Sequence, residues 1–290
     1  TNLVANSLAV NAYNGVATSA NHLETTVSTW SLASTNGSVF VHDTSSVSTG
    51  SVTVAINTID NAAAATTVTT TQHDVLTNAG DVVLNAAGLL TIADGDNSGV
   101  ALQTTSGDIR LSTTSSTGQN VVINGAVSTT SGNIAVYANV DVSQAASGDL
   151  VTTDGTINVK ALTGSITMAD GAAAQASGQN IRYQAANSIQ LGLLDTRTAT
   201  DRTNSALADQ ANWGNVYVGA TTGAITAVGQ SNVFAEQARL QAGTSIGSGS
   251  SAVSTEVVDL ASLASAGHLF VTEATSVNVD LVSAIQVVEV

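Results

Sequence analysis

Proline and cysteine are both absent from the 290 residues, aromatic side chains make up 3% of them and charged ones 9%. Without cysteine there is no disulfide framework and no thiolate metal site. A proline inside a sheet removes a ladder hydrogen bond, so its complete absence suits a chain in which nearly every strand is paired on both sides. The same absence disfavours tandem immunoglobulin-like sandwiches, the main alternative, whose turns and edge strands commonly carry proline. Cations are scarce as well. Six basic residues stand against 21 acidic ones, for a net charge of −15, so the surface is expected to repel a phosphate backbone and nucleic acid is an unpromising partner. No uninterrupted apolar run approaches the roughly 18 residues of a membrane span, and no basic run followed by an apolar stretch marks an export signal. Because Thr1 and Val290 both fall within strand-like patterns, the chain reads as an internal piece of something longer.

What is abundant is small: Gly, Ala, Val, Ser, Thr and Asn. Thr and Val favour extended backbone, and small side chains suit a narrow, evenly packed interior that large aromatics would disturb. The glycines recur in a turn-plus-strand unit, Gly followed by a small or polar residue and then a β-branched or aliphatic one. Examples are Gly80-Asp81-Val82, Gly107-Asp108-Ile109, Gly132-Asn133-Ile134, Gly148-Asp149-Leu150, Gly155-Thr156-Ile157, Gly164-Ser165-Ile166, Gly214-Asn215-Val216 and Gly223-Ala224-Ile225. A longer form begins at Gly118 and at Gly178. Gly107 to Gly132 is 25 residues, Gly132 to Gly155 and Gly155 to Gly178 are 23 each, and a shorter step of 9 recurs from Gly155 to Gly164 and Gly214 to Gly223.

A period near 23 containing two or three short alternating strands predicts an all-β fold, a right-handed parallel β-helix, with glycine supplying positive-φ or tightly bent corners. About twelve coils rising ~4.8 Å each would build a rod roughly 60 Å long. The regular coils are expected over 76–290, with a less regular stretch over 1–75 where glycine punctuation thins, although Val52-Thr53-Val54-Ala55-Ile56 still alternates. One insertion, 195–213, breaks the rhythm and gathers Asp195, Arg197, Asp201, Arg202 and Asp209; a helical turn is expected near Ser205–Gln210, capped by Asn204 or Ser205.

Ser131-Gly132-Asn133-Ile134-Ala135-Val136, Thr163-Gly164-Ser165-Ile166, Gly178-Gln179-Asn180-Ile181 and Ala266-Gly267-His268-Leu269-Phe270-Val271-Thr272-Glu273-Ala274 carry a likeness. Through them, most of residues 77–290 resembles filamentous-haemagglutinin-like giant adhesins and β-strand-repeat proteins of Gram-negative bacteria. The resemblance implies export to the cell surface or medium, a β-helical shaft, and a role in attachment, aggregation or matrix building. An Arg-Gly-Asp triplet, a basic heparin-type patch and an amino-terminal secretion module are missing, so no receptor is carried over.

Candidate chemistry is sparse. Asp94-Gly95-Asp96-Asn97-Ser98-Gly99 puts oxygen donors on a glycine turn, and Asp94, Asp96 and Asn97 are the candidate Ca²⁺ ligands. The distal Glu of an EF-hand is missing, and a hydrogen-bonded surface turn is the ordinary reading of such a stretch. A polysaccharide-cleaving enzyme on this fold would need clustered carboxylates. Asp81, Asp108 and Asp149 each follow a corner glycine, but the coil positions matching Asp108 are expected to hold Asn133, Thr156 and Gln179, a polar ladder and not an acid pair. Gly243-Thr244-Ser245-Ile246-Gly247 matches a nucleophile elbow in letters, yet runs into Ser248-Gly249-Ser250 where a helix should start. His73-Asp74 is a nominal hydrolase pair, and His22, His42, His73 and His268 share no metal-ligand spacing.

Arg197, Asp201, Arg202 and Trp213 in the insertion are the candidate partner-contact residues, with Trp213 alternatively packing the insertion onto the coil. The sequence thus points to a non-catalytic shaft that self-associates or lies beside neighbouring segments of a larger chain. A glycan- or partner-binding module is the second reading, and a polysaccharide-degrading enzyme the third.

Overall fold

The computed structural model describes residues 1–115, 119–204 and 209–290. Residues 205–208, within the expected helical turn, and Gly118 lie outside the described residues. The architecture is a parallel β-helix. Short strands stack into three sheets, with every pairing in the stack parallel. The sheets are followed most easily through the middle of the chain. Ile109–Thr113, Ile134–Ala138, Ile157–Ala161 and Ile181–Ala185 form the first sheet. Val121–Ile123, Val142–Gln144, Ile166–Met168 and Ile189–Leu191 form the second. Ala126–Thr129, Leu150–Thr152, Ala173–Ala176 and Leu193–Asp195 form the third. The coils are three-sided.

Within each strand alternate residues turn inward, so that Ile109, Ile134, Ile157, Ile181 and Val216 lie in one register column of fully buried side chains. Like residues stacked on like, about 4.8 Å apart, keep the sheets in register. The interior also holds two large aromatics, against the sequence expectation. Trp30 and Tyr183 are fully buried. Each ring finds a polar partner, Trp30 Nε1 donating to Thr25 Oγ1 at 3.1 Å and the Tyr183 hydroxyl to Gln144 Oε1 at 3.0 Å.

One corner carries a ladder of side chains that accept the next coil's backbone N–H. Ser38 Oγ accepts from Asp81 N, 43 residues on; Asp81 from Asp108 N, 27 on; Asp108 from Asn133 N, 25 on; Asn133 from Thr156 N, 23 on. After Thr156 the register places Asn180, which accepts from Asn215 N 35 residues on, and Asn215 accepts from Gln237 N 22 on. Gln179, the expected occupant of that rung, is displaced by one residue. The two long offsets mark excursions. The later is the expected insertion; the earlier is an antiparallel hairpin, Ser51–Ile59 with Ala65–His73, standing outside the coils with mostly exposed residues. Val52–Ile56 is therefore a strand, as its alternation implies, but a hairpin strand and not part of a coil. Outside the hairpin, residues 1–50 stack in register with the rest.

The corner glycines are explained less by φ than by stacking. A Cβ on Gly132 would lie 1.8 Å from the Gly107 carbonyl oxygen, and one on Gly155 1.8 Å from that of Gly132, while neither has a left-handed φ. The backbone of one coil occupies the space a side chain of the next would need. At the far end, residues 280–290 leave the coil pattern altogether and run without strand structure along the outside of the first sheet.

Candidate functional site

Three groupings of polar residues stand out. The first is an acidic corner. The hairpin returns to the stack at Asp74, held at φ 60° with its amide donating to Gly50 O at 3.0 Å. Asp74 is 2% exposed, and its Oδ1 accepts from Gly95 N at 2.6 Å, which draws the 94–99 turn onto it. In that turn Asp94 accepts from Asp96 N and Gly99 N, and Asp96 from Ser98 N. One oxygen from each of Asp74, Asp94 and Asp96 falls within 4.8 Å of the others. Burial raises the Asp74 carboxyl, and the charges on Asp96 and Asp94 raise it further, against the Gly95 N–H and His73, which lower it. Ser98 holds the exposed Asp96 carboxyl low. The expected ligands Asp94 and Asp96 thus come together with a third, Asp74. Asn97 occupies the left-handed residue of the turn, φ 61°, and is not one of the three converging acids.

The second grouping is the 195–213 insertion. It carries a short helix, Ala199–Thr203, capped by Thr198, and a 3₁₀ turn, Gln210–Asn212, capped by Asp209. Buried Asp195 receives Arg197 in a fork, Nε to Oδ1 at 3.0 Å and Nη2 to Oδ2 at 2.8 Å, and Arg202 lies 3.3 Å from the same carboxylate without an aligned hydrogen bond. Trp213 donates its indole N–H to Asp201 Oδ2 at 2.7 Å, both residues being buried. The Arg197 guanidinium covers the Phe234 ring at 3.7 Å, and Trp213 meets that ring edge-on at 6.4 Å. All four candidate contact residues are therefore engaged within the chain, where they fasten the insertion to the stack.

The third grouping was not singled out from sequence. On the outward positions of the first sheet, Arg110, Ala135, Asn158, Arg182, Tyr217 and Arg239 follow one another coil by coil. The neighbouring column runs Ser112, Tyr137, Lys160, Gln184, Gly219, Gln241. Four of the chain's six cations thus share one face. Two of them are held in place: Arg110 stacks over Tyr137 at 4.5 Å, Arg182 Nε donates to Asn158 Oδ1 at 3.0 Å, and Asn158 Nδ2 to the Tyr137 hydroxyl at 2.8 Å.

Segment 280–290 lies along this face. Val288 N donates to Thr156 Oγ1 at 2.9 Å, Asn180 Nδ2 to Gln286 O at 2.8 Å, Arg182 pairs with Glu289, and Arg110 donates to Val290 O. Arg182 holds the Glu289 carboxyl below the usual carboxylate range. Between segment and sheet is a cleft of about 250 Å³, lined by Arg182, Gln184, Tyr217, Arg239 and Gln241 on one side and Ala284–Gln286 on the other. The signal for this face was present but hidden, since only the full coil register aligns Arg110, Arg182 and Arg239.

Of the features that suggested catalysis, Asp81 and Asp108 stand on consecutive rungs of the corner ladder, each carboxylate accepting from the next coil's N–H, while Asp149 and Ser245 lie elsewhere. Asp149 belongs to a different corner from Asp108, its Oδ1 accepting from Ala173 N at 2.8 Å. Ser245 stands at a coil corner, accepting from His268 N at 3.1 Å, and the next residue, Ile246, bridges in parallel to Ile225 and Leu269. Among the described residues no helix is long and apolar enough to cross a membrane. No family model, curated protein or solved structure matches this chain.

Proposed function

We propose that this chain is a shaft segment of a secreted bacterial surface or fibre protein, structural and adhesive in role. The observation that carries the reading is the continuous parallel stack, in which side-chain ladder and backbone bonds repeat from coil to coil. Such a quasi-one-dimensional body extends by adding coils and presents long lateral faces for contact with neighbours. Its acidic surface resists indiscriminate association, so contacts to like chains are expected at specified faces. The test combines images of the purified chain with a surface-attachment assay on cells or beads that display it. Uniform rods whose display increases attachment support the reading. Turnover of an acidic polysaccharide by the unaltered chain, abolished in the Asp108→Asn and Asp149→Asn variants, would replace it with the enzymatic one.

A second reading, Ca²⁺ binding, is favoured by the convergence of Asp74, Asp94 and Asp96. Ca²⁺ takes six to eight oxygen ligands, of which three carboxylates supply a large share. Calorimetric titration with CaCl₂ tests it. Heat of binding that disappears in Asp94→Asn supports the reading, and a flat titration of the unaltered chain removes it.

A further inference from the structure

Segment 280–290 has few reasons of its own to be ordered. It has no strand pairing, and most of its side chains are exposed. What fixes it is the face beneath. Val282 is 1% and Ile285 9% exposed, so two apolar side chains three residues apart are seated against the sheet. Four residues beyond Ile285, Glu289 meets Arg182, and the backbone is gripped at Gln286 O and Val288 N by Asn180 and Thr156. Outward Asn158 is wholly buried although it sits on the outside of a sheet. The face therefore reads an extended peptide by two apolar positions, three backbone contacts and one carboxylate. On a chain of net charge −15, a face that gathers four of six cations is the place where an acidic strand is attracted and not repelled.

We infer that the outer face of the first sheet is a recognition groove for an extended acidic peptide with apolar residues three apart and a carboxylate four further on, and that residues 280–290 are its resident ligand. The groove recognises sequence in this segment and is not merely a surface on which it rests. This inference goes beyond the shaft reading and does not depend on it. A copy of the segment supplied by another chain meets the same groove, and binds whenever the resident one is lifted.

The experiment uses the full chain. Val282→Lys with Ile285→Lys puts cations beside Arg239 and Arg182 where the apolar seats are and lifts the segment, leaving the face intact. A fluorescent peptide of residues 280–290 is then titrated into the unaltered and the lifted chains. The lifted chain is expected to bind the peptide at least tenfold more tightly than the unaltered chain, whose groove is filled. Adding Arg182→Glu to the lifted chain should weaken binding at least tenfold, and a peptide carrying Glu289→Lys should regain part of that loss. Absence of peptide binding by a lifted chain with an unchanged far-ultraviolet spectrum overturns the inference, as does binding indifferent to Arg182→Glu. Binding of an acidic oligosaccharide in place of the peptide also overturns it, making the face a glycan site. Should the lifted chain fail to fold, a spin label at Ser283→Cys, the sole thiol in the molecule, decides: a restrained label freed by Arg182→Glu supports the groove, and a freely tumbling one in the otherwise unaltered chain refutes it.

Discussion

The hydroxyl of Tyr183 donates to Oε1 of Gln144 across the lumen, and the Gln144 amide passes the chain of bonds on to Ala173 O at 2.8 Å. Both side chains are buried among aliphatic neighbours, so each depends on the other to satisfy a polar group. Burial drives the Tyr183 hydroxyl far above its ordinary range, and it stays a donor at all working pH values. Tyr183→Phe should cost about 1–3 kcal/mol, the penalty of an orphaned buried acceptor. Gln144→Leu in the Tyr183→Phe background should recover part of that by removing the orphan; urea unfolding of the single and double variants gives the comparison.

Gly132→Ala should destabilise by at least ~1–3 kcal/mol, the usual range for an overpacked site, since its Cβ would sit 1.8 Å from the Gly107 carbonyl oxygen. Gly249→Ala is the control. Its nearest neighbours are Phe270 ring atoms at 3.8 and 3.9 Å, so the melting temperature should hardly change. Equal effects of the two substitutions would contradict the stacking account.

Trp213→Ala removes the donor to buried Asp201 and the edge contact to Phe234, so the insertion should detach locally while the stack persists. Trypsin then cleaves after Arg197 or Arg202 in the variant much faster than in the unaltered chain. Circular dichroism should show the β-helix retained, and resistance of the variant to cleavage would mean that other contacts hold the insertion.

Burial raises the carboxyls of Asp74, Asp149 and Glu256 in the folded chain. Groups with raised folded values bind protons more tightly folded than unfolded, so their contribution favours folding below the unfolded carboxylate range and is lost as pH rises through the folded values. Lowering the pH from about 7 toward about 5, above the range in which the low-lying Asp96 and Glu289 carboxyls oppose the effect, should raise the melting temperature, helped by a smaller net negative charge. Asp149→Asn keeps an acceptor for Ala173 N and removes one ionisable group, so it should flatten this slope and raise the neutral-pH melting temperature. A steeper slope in the variant would refute the assignment.

The coil was legible because its corners are written in glycine, and a glycine excluded by the carbonyl of the coil below leaves the same spacing as one chosen for φ. The hairpin was not, since Thr- and Val-rich alternation looks the same whether a strand pairs with the coil below or with its antiparallel neighbour. Asp94 and Asp96 were found through their shared turn, whereas Asp74 is joined to Gly95 only when the chain returns from the hairpin, an offset of 21 residues. The cationic face needed the exact register, including a coil lengthened to 35 residues by the insertion. Tyr183 shows the limit of composition: one large ring is buried in the interior with its hydroxyl bonded to Gln144.

The segment along the first sheet has a mechanical meaning. Bonds between coils point along the rod, so tension applied to its ends would open them one layer after another, each layer of about 23 residues paying out roughly 75 Å of chain. Residues 280–290 bridge the layers between Asp259, which Asn278 contacts, and Arg110. Those layers can part only after the grip on Glu289 and its neighbours is lost, so the segment serves as a tie that delays unravelling of the stretch it spans.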